Sequence, residues 1–235
     1  MDDNVGQVRP KDGRTLRQAQ GRLWGTAQLH LCFTLFGMAT PQEVEVKFLV
    51  SDMKALQRKL EEIGFRCETP STHEVNTLYD LPGQKLRGKG ELLRLRKYGD
   101  KWTLTHKARG LPGRHKSRGE LETVVADGKA MDALLRALGF APNFVYEKFR
   151  SEWSDGKGNV VLDHTPIGDV AEIEGKSRWI DRTARALGVS AEQYVTKSYG
   201  ELFSEWKRKT KCKADNMTFR ECRGCAKLKS ADFQP

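Results

Sequence analysis

From residue 43 to residue 176 the chain repeatedly alternates charged and apolar positions. Glu43-Val44-Glu45-Val46-Lys47-Phe48 sets charges on one side of an extended backbone and apolar groups on the other. That two-residue period is the mark of a β-strand with one buried face. It returns at Leu93-Arg94-Leu95-Arg96, residues 102–107, Glu120-Leu121-Glu122, Glu147-Lys148-Phe149-Arg150 and residues 171–176, with Val160-Val161-Leu162-Asp163 before the last. Tyr98-Gly99-Asp100 and residues 155–159 carry the Gly, Asp and Asn punctuation of hairpin turns.

Two stretches change to the helical period. Residues 52–63 align Met53, Leu56, Leu60 and Ile63 and stop at Gly64; residues 129–138 align Met131, Leu134, Leu135 and Leu138 and stop at Gly139. Glu43-x-Glu45 precedes the first helix as Glu120-x-Glu122 precedes the second, and each helix runs into Gly-Phe. The spacing predicts an internal duplication of a strand–helix–strands unit.

Alternation alone fits an antiparallel sheet with one solvated face and helices covering the other. The segregation of sign asks for more. Glu43/Glu45, Glu120/Glu122 and Glu172/Glu174 are acidic pairs, whereas Arg94/Arg96 and Lys148/Arg150 are basic. Like charges two apart on one face repel, and solvation does not require them. A barrel with a charged lumen that holds both a metal and a polyanion does: carboxylate oxygens suit Mg²⁺ or Mn²⁺, and clustered bases neutralise phosphate. Closure also removes the open sheet edges.

Net charge changes this picture less than its size suggests. The 235 residues carry 41 Lys and Arg against 31 Asp and Glu, a charge of +10 that invites a nucleic-acid partner. Most of the excess is terminal. Residues 1–41 carry +2 and residues 207–235 carry +6, which leaves 27 bases against 25 acids in residues 42–206. We therefore expect an N-terminal extension over 1–41, one domain over 42–206, and a basic, solvated, Cys-containing tail over 207–235. The tail run Lys207-Arg208-Lys209-Thr210-Lys211 lacks the interleaved aromatics of a base-stacking surface. The longest apolar run, residues 29–38, is about half a membrane span. The long charged lead before it speaks against a secretion signal, and Met38 is an expected translation start. Five scattered cysteines predict a reducing, cytoplasmic setting rather than a disulfide framework; Cys212, Cys222 and Cys225 make only a weak zinc pattern.

Glu43-x-Glu45-x-Lys47 at the start of a first strand resembles the CYTH superfamily, the triphosphate tunnel metalloenzymes, which include class IV adenylyl cyclases, thiamine triphosphatases and tripolyphosphatases. The resemblance continues in order through Asn76-x-x-Tyr79-Asp80, Leu93-Arg94-Leu95-Arg96, Thr103-x-Thr105-x-Lys107, Glu120-x-Glu122, Lys148-x-Arg150, Asp163, Glu172-x-Glu174-Gly175 and Lys197-Ser198-Tyr199. It implies an α+β fold, an eight-stranded antiparallel β tunnel with helices packed outside. It implies metal binding by Glu43, Glu45, Glu172 and Glu174, with Glu120, Glu122 and Asp163 as further metal or water-positioning groups. Phosphate would meet Lys47, Arg94, Arg96, Lys107, Lys148, Arg150 and, on the closing segment, Lys197. Glu43, Glu45, Lys47 and Lys107 would form the catalytic set. His106 departs from the pattern and its parity points outward; His73, His115 and His164 lack ligand spacing.

The implied activity is Mg²⁺- or Mn²⁺-dependent hydrolysis of tripolyphosphate or an organic triphosphate such as thiamine or nucleoside triphosphate. The alternatives are a class IV adenylyl cyclase that makes cyclic AMP and pyrophosphate, or a non-catalytic polyphosphate or nucleotide sensor. The expected partner is a small triphosphate, not a membrane or a nucleic acid, and a homodimer is open.

Overall fold

The computed structural model describes residues 42–111 and 113–228; the expected start at Met38 and the extension before it lie outside them. Eight strands run in chain order as β1 (Gln42–Leu49), β2 (Arg66–Asp80), β3 (Leu92–Tyr98), β4 (Lys101–Lys107), β5 (Lys116–Val125), β6 (Ala141–Ser154), β7 (Asn159–Thr165) and β8 (Gly168–Glu174). Five α-helices accompany them: α1 (Met53–Glu62), α2 (Lys85–Lys89), α3 (Gly128–Ala137), α4 (Ser177–Leu187) and α5 (Tyr199–Thr210). All strand pairs are antiparallel and close into a barrel in the order β1-β5-β4-β3-β2-β6-β7-β8. The expected fold class holds.

The duplication is visible in that order. Each half is a strand, a helix and three further strands: β1-α1-β2-β3-β4, interrupted only by short α2, and β5-α3-β6-β7-β8. The halves join through the pairs of equivalent strands β1·β5 and β2·β6 and through β4·β5 and β1·β8. Both helices begin with an Asp cap: Asp52 accepts from the Ala55 amide at 2.9 Å, and Asp127 accepts from Lys129 and Ala130 at 2.8 and 3.0 Å. Both are followed by a left-handed glycine, Gly64 at φ +90° and Gly139 at φ +89°.

Apolar faces turn outward under the helices. Val46, Phe48, Trp153, Val160, Leu162, Ala171 and Ile173 meet Leu56 and Leu60 of α1 and Trp179, Ile180 and Ala184 of α4. A smaller cluster puts Leu95 and Val125 against Leu135 of α3. A third joins Tyr146 and Val170 to Tyr199, Leu202, Phe203 and Trp206 of α5. Because Tyr146 and Val170 share the lumen parity of Lys148 and Glu172, α5 closes the barrel interior from one end, as a floor. Helix α4, which the sequence reading did not predict, buries Trp179, Ile180, Thr183, Ala184 and Leu187.

The C-terminal segment differs from the expected solvated tail. Helix α5 runs through residue 207 to Thr210, and residues 211–228 pack on the barrel with Cys212, Met217 and Cys222 buried. Cys212 and Cys225 form a disulfide, a pairing that the expectation of a reducing setting without a disulfide framework did not foresee; Cys67 and Cys222 are free. The bases of the segment still face outward, since Arg208, Lys209, Lys211 and Lys213 are exposed.

Candidate functional site

Strand pleating puts the charged residues two apart in each strand on the same side of its backbone; Glu147, of opposite parity on β6, faces outward to His73. Closure turns the shared side inward, so groups from all eight strands meet in one lumen. On β1, Lys47 donates to Glu45 at 2.8 Å and lies 3.5 Å from Glu172 on β8. Lys107 on β4 bridges Glu43 at 2.6 Å and Glu120 at 2.7 Å. Arg96 on β3 reaches Glu122 at 3.1 Å, and Arg94 lies 3.8 Å from Glu120 and 3.6 Å from Glu122. Across the barrel, Lys148 on β6 contacts Asp163 on β7 at 2.9 Å, and Arg150 contacts Asp163 at 2.6 Å and Glu172 at 3.0 Å.

Four lumen groups escaped the sequence reading. Glu74 on β2 is fully buried, 3.5 Å from Lys148 and hydrogen-bonded by Asn76 at 2.8 Å. Lys116 and Arg118 at the start of β5 lie 3.5 Å from Glu45 and 3.6 Å from Glu43. The family motif includes Tyr199, but no role had been assigned to it. Its hydroxyl donates to Asp163 at 2.5 Å, and its ring lies under the ammonium groups of Lys148 at 4.6 Å and Lys47 at 5.8 Å. A parity signal was available for two of them: Lys116-x-Arg118 stands in step with Glu120-x-Glu122 on β5.

Lys197 does not join this lumen. Its side chain is exposed and pairs with Glu205 of α5 at 2.6 Å. This placement differs from the phosphate contact expected of the closing segment, because the chain turns into α5 between Lys197 and Tyr199 and sends only Tyr199 inward. The histidines stay outside the lumen set: His106 lies 3.6 Å from Glu91, His73 contacts Glu147, His115 contacts Asp181, and His164 contacts Asp169.

Two opposing influences set the ionisation of these groups. Burial disfavours charge, and opposite neighbours favour it. For Glu74, burial is outweighed by Lys148 and Arg150, and the carboxyl is held down at about 2. Glu43 is only partly buried, and Lys107 and Arg118 outweigh its loss of hydration and bring it to about 2. Glu172 falls well below the usual range despite burial, under Lys47 and Arg150. The opposite outcome marks two positions. Burial and the charge of Lys47 push Lys116 down to about 8. At the rim, lost hydration and then Glu43, Glu45 and Glu172 push Glu174 up to about 7, although its side chain still reaches solvent.

Several polar atoms are left without a hydrogen-bond partner: Glu74 Oε2, Asn76 Oδ1, Arg94 Nε and Arg118 Nε. Such orphans in a buried site are unusual, and a lumen built to take a hydrogen-bonding ligand accounts for them. The Arg118 side also faces a cleft of about 1240 Å³ at one mouth, lined by Lys116, Arg109, Leu78, Phe144 and Phe203.

The chemistry of the acidic wall fits a hard divalent cation. Glu43, Glu45, Glu172 and Glu174 offer oxygen donors, and the elevated Glu174 records an excess of negative charge there. Among the described residues no three such side chains already converge on a single point, because Lys47, Lys107, Lys116 and Arg118 engage the carboxylates.

The CYTH domain matches residues 41–199. The chain belongs to the CYTH domain family. A curated relative, the "putative adenylate cyclase" of Methanocaldococcus jannaschii, is 25% identical over 171 residues, covering 68% of this chain and 97% of the relative. The PH1012 protein of Pyrococcus horikoshii is 29% identical, with a TM-score of 0.59 over 68% of this chain and 98% of that one. A Hippeastrum protein described as a "putative adenylyl cyclase" with a dominant triphosphatase activity shares the fold at 16% identity, with a TM-score of 0.51 over 69% and 94%. CYTH proteins are typically enzymes and are metal-dependent in general.

Proposed function

We propose that the chain is a divalent-metal-dependent triphosphatase that hydrolyses tripolyphosphate or an organic triphosphate inside the barrel. One observation carries the reading: Lys47, Lys107, Lys116, Lys148, Arg94, Arg96, Arg118 and Arg150 line one closed lumen together with the carboxylates. Phosphoryl transfer asks chiefly for positioning and for stabilisation of charge on phosphate oxygens. The bases of β3, β4 and β6 grip the phosphate chain and exchange carboxylate partners for phosphate oxygens. The closed wall excludes bulk water and strengthens each contact. Tyr199 holds the floor of the lumen through Lys148 and Asp163. Glu43, Glu45, Glu172 and Glu174 would hold the metal, which when bound supplies Lewis-acid polarisation and a more acidic water.

The name of the Methanocaldococcus relative supports a second reading, an adenylyl cyclase in which the ribose 3′-hydroxyl of ATP attacks in place of water. The cleft of about 1240 Å³ offers room for a nucleoside. Incubation with tripolyphosphate, thiamine triphosphate or ATP, with Mg²⁺ or Mn²⁺, separates the two. Orthophosphate without cyclic AMP supports the triphosphatase, cyclic AMP with pyrophosphate supports the cyclase, and binding without turnover overturns both.

A further inference from the structure

The C-terminal segment 211–228 lies beyond the matched family domain, yet it packs on the closed barrel. β6 pairs with β2 along its length, but β7 covers only residues 149–154 of its other edge. The segment bridges the remaining edge at residues 145–147. Met217 donates to the Val145 carbonyl at 3.0 Å and accepts from the Glu147 amide at 3.1 Å, while Asn216 Oδ1 accepts from the Val145 amide at 2.9 Å. The segment then holds α5. Trp206 Nε1 donates to the Ala226 carbonyl at 2.6 Å, and the Leu228 amide donates to Ile167 at 2.7 Å. Gly168, at φ +145°, leaves space for this approach: a Cβ there would meet Leu228 at 3.3 Å.

The Cys212–Cys225 bridge ties the two ends of this strap, 13 residues apart, across the β6 contact. Its sulfurs are unequal in access. Cys212 is buried next to the end of α5, whereas Cys225 is half-exposed between exposed Gly224 and Ala226. Cys222 is buried and packs with Trp206 and Met217, and burial raises its thiol, so it stays out of exchange.

We propose that Cys212–Cys225 is a regulatory thiol–disulfide site, reduced by a dithiol, whose opening loosens the strap and with it the α5 floor of the lumen. The reductant's thiolate attacks Cys225 Sγ, forms a mixed disulfide and expels Cys212 as a thiolate, which takes a proton. The reductant's second thiolate then attacks its own sulfur in the mixed bond. Cys225 leaves as the second thiol, and the reductant departs as a disulfide. Two electrons and two protons enter the protein. Loss of the cross-link restores freedom to the strap and lowers the stability of a local opening unit that includes α5. Tyr199, at the head of α5, carries the change to Lys148 and Asp163. The consequence for ligand rests on the proposed triphosphate site; the mechanical consequence does not.

The test uses the full chain, oxidised and after treatment with dithiothreitol, with bridge status read by mass spectrometry. Hydrogen exchange of residues 199–228 and calorimetric binding of tripolyphosphate are the readouts. Reduction should speed exchange in the strap and α5 about tenfold and weaken tripolyphosphate binding several-fold, with Cys225→Ser reproducing both in the absence of reductant. Cys222→Ala should retain the response to dithiothreitol. Unchanged exchange after verified cleavage, or an oxidised protein without the Cys212–Cys225 linkage, overturns the proposal. Faster exchange with no tripolyphosphate binding in either state upholds the strap and instead overturns the triphosphate reading of the lumen.

Discussion

The wall of β2, β6 and β7 and the wall of β8, β1 and β5 are built from the same residue types but settle them differently. On the first wall, Glu74 and Asp163 are fully buried and Lys148 nearly so; each charge has an opposite partner, and Tyr199 covers them from the floor. On the second, Glu43, Glu120 and Glu174 crowd toward solvent, and Glu120 and Glu174 are both pushed above the ordinary carboxylate range. For Glu120 the causes are burial, partly offset by Lys107, and then the neighbouring charge of Glu43. A paired, dry wall holds a shape. A wall with surplus negative charge is the one on which the proposed cation would sit, and the contrast can be tested wall by wall.

The largest expected effect comes from emptying the acidic wall. Glu43→Gln or Glu45→Gln should lower metal-dependent turnover by about a thousandfold while circular dichroism still shows a folded barrel. Normal turnover in both variants would remove these residues from the site. Next is the buried wall. Glu74→Gln leaves Lys148 and Arg150 short of a counter-charge and should cost about 3 kcal/mol, seen as a lower denaturant midpoint at constant slope. The Glu74 carboxyl lies at about 2 against an ordinary 4.5. Its contribution is therefore full above pH 4.5 and is lost as pH falls from 4.5 toward 2. Glu74→Gln should flatten the acid limb of the stability profile over that window; an unchanged limb would assign it elsewhere.

Arg96→Ala, which on the proposed reading removes a charged contact to the phosphate chain, should reduce kcat/KM by about 30-fold. The smallest effect sharpens the contrast between the walls. Because Glu174 keeps its proton up to about pH 7, a divalent cation held at the proposed site would have to displace that proton. Affinity should rise as pH rises to about 7 and then level, by about tenfold overall, and Glu174→Gln should remove the slope in calorimetric titrations. The same raised value makes the folded protein less stable as pH rises from the ordinary 4.5 to about 7, the reverse of the Glu74 case.

Much of the barrel was legible because its signal is local. Six alternating residues at 43–48 fix a strand and its two faces, and the Leu-rich stripe ending at Gly64 fixes α1. Other parts leave weak local marks. Helix α4 has a mixed sequence, Ser177-Arg178-Trp179-Ile180-Asp181, whose apolar side gains meaning only against Phe48 and Ile173. Glu74 sits in a strand rich in Thr and Glu, where no apolar alternation announces its direction. Lys197 and Tyr199 are two residues apart in one motif, yet a helix start between them sends one outward and the other into the lumen.

The sequence by itself determined the period of each strand, the sign of charge that each carries and the duplicated unit that two Gly-ended helices punctuate. Pleating and capping act over a few residues, so these features do not depend on distant contacts. Tertiary structure decided which acids meet which bases, that α5 and the strap form the floor, that Cys212 finds Cys225, and that Glu174 rather than Glu43 keeps its proton. Those outcomes depend on distances between groups far apart in the chain and on how much water closure removes from each. Neither quantity exists until the barrel has closed.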